Sequence, residues 1–425
     1  PDERMSDFMI DWIAEFSKKY GYKPGGAFIS SKPKTGFNHK EFGVTSYGVN
    51  VCLHQVLLEL GINPEQDRFT IKMSGGPDGD VAGNQIKNLY RFYPDTAKLI
   101  ALTDVSGTIY DPEGLDLKTL VELFEEVKPI RCYPPELLHP GGVLLDREIK
   151  QQMTSLITHT LCWENHEGEL IKKWIAGSEM NHLFRHNVHQ RPADVFVPAG
   201  GRPRTISISN IGDFLDETGK PTAKAIVEGA NLYVTEHARK ALESKGVLII
   251  KDSSANKGGV ICSSFEVLTS LVVDEEKFLD VKQALIQEIL EHIKKCTFNE
   301  SRTLLGTHRR TGRPMTEISD EISKKINLYT YQILDHLQGV ELSSDPEDPL
   351  NLCFLTYCLP TLRHRFQKEL IDEVPDQHKK AIIACHVASQ IVYCRGIDWS
   401  PSIVDVLPNI WRDPTIVTEC ILYDQ

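Results

Sequence analysis

Hydrophobic positions near the start of the chain recur with helical spacing. Met9, Trp12, Ile13 and Phe16 fall at i, i+3, i+4 and i+7, which predicts an amphipathic helix over 6–20 that Gly21 stops. Residues 25–38 are irregular and rich in Gly, Pro and Lys, with a short strand expected over 27–30. A second helix is expected over 46–60. Thr45 would cap it, Val49, Cys52, Val56, Leu57 and Leu60 would form its apolar face, and Gly61 would end it. The pattern then changes. Short apolar runs at 69–73 and 98–103, and within 194–201, 224–231 and 246–260, each end in small or polar residues. They alternate with helical stretches at 84–92, 115–127 and 236–245, the last capped by Thr235 and closed by Gly246. Residues 146–161 are also expected to be helical. Short strands alternating with helices predict a doubly wound α/β domain of Rossmann type with a parallel sheet. From Asp274 on the strands cease. Val281, Leu285, Ile289 and Ile293 mark one amphipathic helix, and further helices are expected over 318–337, 350–396 and 400–414. The basic string 306–314 reads as a solvated loop and the acidic string 343–349 as a linker.

The candidate chemistry gathers where the first apolar run ends. It feeds a loop with glycines at 75, 76, 79 and 83, and a helix follows. Glycines let the backbone approach a pyrophosphate, and a helix N-terminus offers N–H groups and a positive dipole end. The spacing is Gly76-x-x-Gly79-x-x-Ala82 and not G-x-G-x-x-G, so a plain tight turn explains the loop equally well by itself. Support comes from Asp104, at the end of the second run and 25 residues beyond Gly79. An acid there can accept both ribose hydroxyls and would repel a 2′-phosphate, which favours NAD over NADP. The alternative is an Asp that merely starts the next loop. Three later clusters would face the same crevice: Pro198-Ala199-Gly200, Glu228-Gly229-Ala230-Asn231 and Asn256-Lys257-Gly258-Gly259. An Asn amide can pair with a carboxamide such as that of nicotinamide, although turn formation alone would account for each Asn.

Composition adds bounds. The chain of 425 residues is 41% hydrophobic and 25% charged, with a net charge of −12. A diffuse acidic balance argues against nucleic acid or an anionic membrane as the main partner. No apolar run approaches the roughly 18 residues of a membrane span. The opening PDERMSDFM is neither a signal peptide nor an initiator methionine, so the chain reads as a piece of a longer protein. None of the ten cysteines forms Cys-x-x-Cys and most lie in apolar runs, which points to buried free thiols in a reducing compartment. The even count leaves a disulfide framework open by number, but the scattered spacing argues against it. His159, His166, His182, His186 and His189 lack a compact i, i+4 pair backed by acids, so no metal is expected. Asp2 alone reads as a capping or solvated acid ahead of the first helix.

Several motifs, in order, carry a family resemblance. Pro1-Asp2 with the Trp12 helix, Lys32-Pro33, GVTSYGV (43–49), SGGPDGDVAGN (74–84), LTDVSGTIYDPEGLD (102–116), FVPAGGRP, IVEGANLYVT and DSSANKGGVICSSFE (252–266) resemble glutamate dehydrogenases. CLPTLRHRFQKEL (358–370) and HKKAIIACHVASQIV (378–392) are similar to the helical tail of the large NAD-specific subclass, and SGGPDGDVAGN is that subclass's form of the glycine loop. The resemblance implies four parts: a substrate-domain remnant and hinge (1–44), an NAD-binding Rossmann-type domain (45–270), a helical return (271–342) and a C-terminal helical module (343–425). It implies a homo-oligomer in the cytoplasm or mitochondrial matrix.

By the same resemblance, Asp2 is the catalytic acid/base and Thr45 touches the nicotinamide. Gly76, Gly79 and Ala82, with Pro77, Asp78, Asp80 and Val81 among them, form the pyrophosphate turn, and Asp104 contacts the ribose. Ala199 and Gly200 line the cofactor path, Asn231 and Asn256 hold the nicotinamide side, and Ser263 reaches the substrate carboxylate. The sequence departs from the small enzymes in two places: Val44-Thr45-Ser46-Tyr47-Gly48 replaces Ala-Thr-Gly-Arg-Gly, and Asp78 holds the usual second glycine position. On this resemblance the family's lysines are expected in a segment ahead of Pro1.

The implied reaction converts L-glutamate to 2-oxoglutarate and ammonia with hydride transfer to NAD. Its acid/base group suits a carboxylate whose pKa burial raises. On this reading residues 1–425 alone bind NAD but turn over negligibly. The alternatives are a related branched-chain or aromatic amino-acid dehydrogenase, or a non-catalytic nucleotide-binding regulatory module.

Overall fold

The computed structural model describes residues 5–21, 27–154 and 157–412. Helices α1 (Asp7–Lys19) and α2 (His39–Phe42) come first, and the segment 27–30 between them is turn and bend, without the expected strand. Helix α3 (Val44–Glu59) buries Val44, Val49, Cys52, Leu53, Val56 and Leu57. Its N-cap is Gly43 at φ +61°, so Thr45 lies inside the first turn and does not cap it. A left-handed entry suits glycine, and a side chain there would also meet Asn84 Oδ1 at 2.8 Å. Gly61 ends the helix at φ +78°, as expected.

The chain then runs through β1 (Phe69–Ser74), α4 (Asp80–Phe92), β2 (Ala97–Thr103), β3 (Gly107–Tyr110), α5 (Leu117–Glu125), β4 (Val143–Gln152), β5 (Thr158–His166) and β6 (Glu169–Ile175). It continues with α6 (Gly177–Arg185), β7 (Ala193–Pro198), β8 (Ala223–Val227), α7 (Glu236–Glu243), β9 (Leu248–Ile250) and α8 (Asp252–Ala255). One nine-stranded sheet results, in the order β6-β5-β4-β3-β2-β1-β7-β8-β9. Strands β2, β1, β7, β8 and β9 are parallel, and their apolar residues are buried as a sheet covered on both faces requires. From β1 the chain winds outward to β2, whereas from β7 it winds the other way to β8 and β9. The switch point therefore falls between β1 and β7.

Beyond β2 the sheet turns antiparallel through β3, β4, β5 and β6. This corrects the helix expected over 146–161. The outer part of β4 is exposed and shows no apolar alternation, so its extended state rests on pairing such as Lys150 with Thr160 and Gln151 with His159. Pairing across strands is invisible to a local pattern.

The remaining helices are α9 (Gly258–Val272), α10 (Glu275–Thr311), α11 (Met315–Leu337), α12 (Pro349–Tyr357), α13 (Pro360–Arg365), α14 (Gln367–Asp372), α15 (Asp376–Arg395) and α16 (Ile403–Arg412). The basic string expected as a loop is helical through Thr311, with Gly312 at φ +68° closing the helix. Two compact units result. One comprises Gly43–Gly258 with Leu304–Thr316 and holds the sheet; the other comprises residues up to Phe42, Gly259–Thr303 and the chain from Glu317. The second unit is helical. Val281, Leu285, Ile289 and Ile293 of α10 are buried in it, Glu288 accepts from Thr361 Oγ1 at 2.8 Å, and Tyr393 donates to Glu300 at 2.7 Å. The string 343–349 is pinned in place, since Asn351 donates to the carbonyls of Ser343 and Asp345. Among the described residues no helix is long and apolar enough to cross a membrane.

Candidate functional site

Strand β1 ends at Ser74 and the chain turns at Gly75, with φ +99°. Ser74 Oγ donates to the Gly200 carbonyl at 2.7 Å, and Ala199 N donates to the Ser74 carbonyl at 2.9 Å. A methyl group on Gly75 would meet Gly200 N at 2.9 Å; one on Gly200 would meet Gly75 Cα at 2.8 Å. The ends of β1 and β7 thus touch backbone to backbone, which only a pair of glycines permits. Gly76 to Gly79 forms a turn, closed by Gly79 N to the Gly76 carbonyl at 3.0 Å, with Pro77 at its second position. Gly79 is the N-cap of α4, and Asp80, Val81 and Ala82 form its first turn, where backbone N–H groups lack intrahelical partners. Gly83 packs the helix: Phe124 of α5 and the Pro77 carbonyl occupy the space a side chain would need. Ala82 is fully buried against Gly75.

Asp104 lies beside this turn. Its Oδ2 fills the place where a Gly76 side chain would go. Oδ1 accepts from Ser106 N (2.7 Å), Ser106 Oγ (2.6 Å) and Gly107 N (3.1 Å), and Oδ2 accepts from Ile130 N (2.8 Å). The carboxylate therefore ties the turn after β2 to the 130–132 segment, and any ribose contact would fall to the remaining lone pair of Oδ2.

On the other side of the switch point, Gly229 is walled by Val81, the Pro198 carbonyl and Val49, and Ala230 N donates to that carbonyl at 2.7 Å. Asn256 Nδ2 donates to Asn231 Oδ1 at 2.6 Å and to the Gly229 carbonyl at 3.3 Å. A side chain on Gly258 would strike the Val44 carbonyl and meet Thr45 Cα at 3.3 Å, so the loop carrying Asn256 abuts the start of α3. Thr45, the 76–82 turn, Asp104, Ala199, Gly200, Asn231 and Asn256 all belong to the sheet unit, gathered at the carboxyl edge of the parallel strands. Ser263 belongs to the helical unit. Its Oγ donates to Ser30 Oγ at 2.9 Å and lies 3.4 Å from His39 Nε2. One turn further along α9, Glu266 is buried with Lys32 in an ion pair and accepts from the N–H of Ser31 and Phe37. Asp2 lies outside the described residues.

Sequence reasoning missed a buried charged group beneath the two asparagines. Glu228, Arg239 and Asp252 are joined, with Glu228 fully enclosed and its pKa pushed up to about 7 by burial against the pull of Arg239. The signal was present: Glu228 follows directly on the apolar run of β8, and a charge there needs a partner.

Fold and strand order define the class as a doubly wound α/β protein with its switch point between β1 and β7, the place where proteins of this class bind ligands. The family model Glutamate/Leucine/Phenylalanine/Valine dehydrogenase matches residues 36–306, and the chain belongs to that family. It is 31% identical over 414 residues to glutamate dehydrogenase 2 of Dictyostelium discoideum, covering 94% of this chain and 37% of that protein. It is 29% identical over 422 residues to the probable NAD-specific glutamate dehydrogenase of Schizosaccharomyces pombe (94% and 35%). It is 30% identical over 418 residues to the NAD-specific glutamate dehydrogenase of Saccharomyces cerevisiae (94% and 36%). The chain thus spans about a third of the length of these relatives.

Proposed function

We propose that the protein carries out NAD-dependent oxidative deamination of L-glutamate to 2-oxoglutarate and ammonia, as a homo-oligomer. The observation that carries this reading is the run of relatives bearing that name and aligned over 94% of the chain. The close backbone contact of Gly75 with Gly200 sets the Gly76–Ala82 turn beside the end of β7, the arrangement that a dinucleotide site would need. The nicotinamide ring supplies the hydride acceptor. The Gly76–Ala82 turn would receive the pyrophosphate on the N–H groups at the start of α4, and Asp104 would stand at the ribose and disfavour a 2′-phosphate. Thr45, Asn231 and Asn256 would orient the nicotinamide, and Ala199 and Gly200 would line its path. With Asn256 Nδ2 given to Asn231, the Asn256 Oδ1 and Asn231 Nδ2 atoms offer an acceptor and a donor to a carboxamide. Ser263 would hold a substrate carboxylate, and Asp2 would move protons between amine, water and carbinolamine. The test is NADH formation by the full-length protein with L-glutamate, set against L-leucine, L-valine and L-phenylalanine; glutamate should be the substrate strongly preferred.

A further inference from the structure

Arg239 has no part in the cofactor reading above, yet it reaches both loops that carry the asparagine pair. On α7, its Nε donates to Glu228 Oε1 at 2.6 Å and its Nη2 to Glu228 Oε2 at 2.7 Å. Nη2 also donates to Asp252 Oδ1 at 3.1 Å. The other oxygen of Asp252, Oδ2, accepts from Leu232 N at 2.7 Å. Leu232 directly follows Asn231 and has φ +55°, a left-handed conformation that a branched side chain avoids. Its carbonyl accepts from Arg204 N at 2.7 Å, so the strained residue is held at both backbone ends. On the second loop, Asn256 N donates to the Asp252 carbonyl at 2.9 Å. A chain of bonds therefore runs from Arg239 through Asp252 to each asparagine, and Glu228 fixes the guanidinium at the root of the first loop.

A buried charge cluster of this kind is not needed for stability, because apolar residues of similar volume often serve as well or better. What apolar packing cannot do is accept the Leu232 N–H and hold that residue at positive φ. We propose that Arg239 is a positioning residue: it clamps Glu228 and Asp252, and so keeps the Asn231–Asn256 amide pair aimed at the nicotinamide half of the cofactor. This rests on the cofactor reading above. Lysine cannot replace it, since a point charge cannot bridge two carboxylates with the planar fork of arginine.

The experiment compares NAD with ADP-ribose, which has every part of NAD except the nicotinamide. Binding of both ligands is measured by calorimetry on the full-length protein, unaltered and as Arg239→Lys. The variant should bind NAD about tenfold or more weakly, the scale of one or two lost hydrogen bonds, while its ADP-ribose affinity stays unchanged. Equal weakening of both ligands would mark a merely structural role and overturn the proposal, as would no change in either. Should Arg239→Lys fail to fold, Asp252→Asn, which keeps the side-chain shape and removes one charge, carries the same comparison. If the unaltered protein bound neither ligand, the cofactor reading would fall and the proposal with it. Normal binding by the unaltered protein with no selective loss in the variant overturns the positioning role alone.

Discussion

Asp104 shows how much one side chain is asked to do. Four hydrogen bonds bind it to its own loop and to Ile130, while Oδ2 also presses on Gly76. Two effects of Asp104→Ser are therefore expected together. Stability should fall by about 1–3 kcal/mol, because backbone N–H groups of Gly107 and Ile130 lose their acceptor. Discrimination against NADP should also weaken, because the charge opposing a 2′-phosphate is gone. Thermal melting and the ratio of kcat/KM for the two cofactors check each effect; an unchanged ratio would confine Asp104 to its loop. The sequence pointed to this residue by its place after a strand. It could not disclose the Ile130 bond, which joins positions 26 apart. The glycines were legible in the same partial way. Gly75 and Gly200 lie far apart in sequence, and their contact exists only because β1 and β7 are neighbours.

At the scale of elements, the α4–α5 packing sets helix propensity against steric fit. Replacing Gly83, the fourth residue of α4, with Ala should stabilise the helix by up to about 1 kcal/mol on propensity alone. Here the added methyl group would collide with the Phe124 ring and the Pro77 carbonyl, and backbone cannot swing aside as a side-chain tip can. Overpacking of this kind costs about 1–3 kcal/mol, so sterics should win and Gly83→Ala should melt earlier than the unaltered protein. A higher melting temperature would show that the turn before α4 yields. Helices with a strong apolar stripe, such as α10, were readable from period alone. Strands β4, β5 and β6 were less so: they form an antiparallel extension, and the outer half of β4 has no buried side to write a pattern.

For the whole molecule, three histidines set the response to acid. His189, His292 and His386 are held near pKa 4, chiefly by burial, with Lys72 adding to the effect at His189 and Lys295 at the other two. In the unfolded chain a histidine takes its proton near pH 6.5, whereas in the fold it does so only near 4. The unfolded state therefore binds more protons across that interval. Stability from these groups is complete above about pH 6.5 and is lost as pH falls toward about 4. Glu228 acts in the opposite sense: its raised pKa means the fold binds the extra proton between about 4.5 and 7, which adds stability at the acid end. Burial lowers the pKa of His54 and His378 as well, so the histidines outweigh Glu228 and the melting temperature should fall between about pH 6.5 and 4.5. A flat or rising profile there would mean that these rings are charged in the fold.

The proposed function pairs an NAD site with glutamate chemistry in one protein. Initial rates of NADH formation by the full-length protein test that pairing directly, with kcat/KM taken for L-glutamate and for L-leucine, L-valine and L-phenylalanine. Glutamate should be preferred by about a hundredfold or more, as when a site holds a second carboxylate that apolar substrates lack. Comparable rates with the apolar amino acids, or NAD binding without turnover of any of the four, would contradict it.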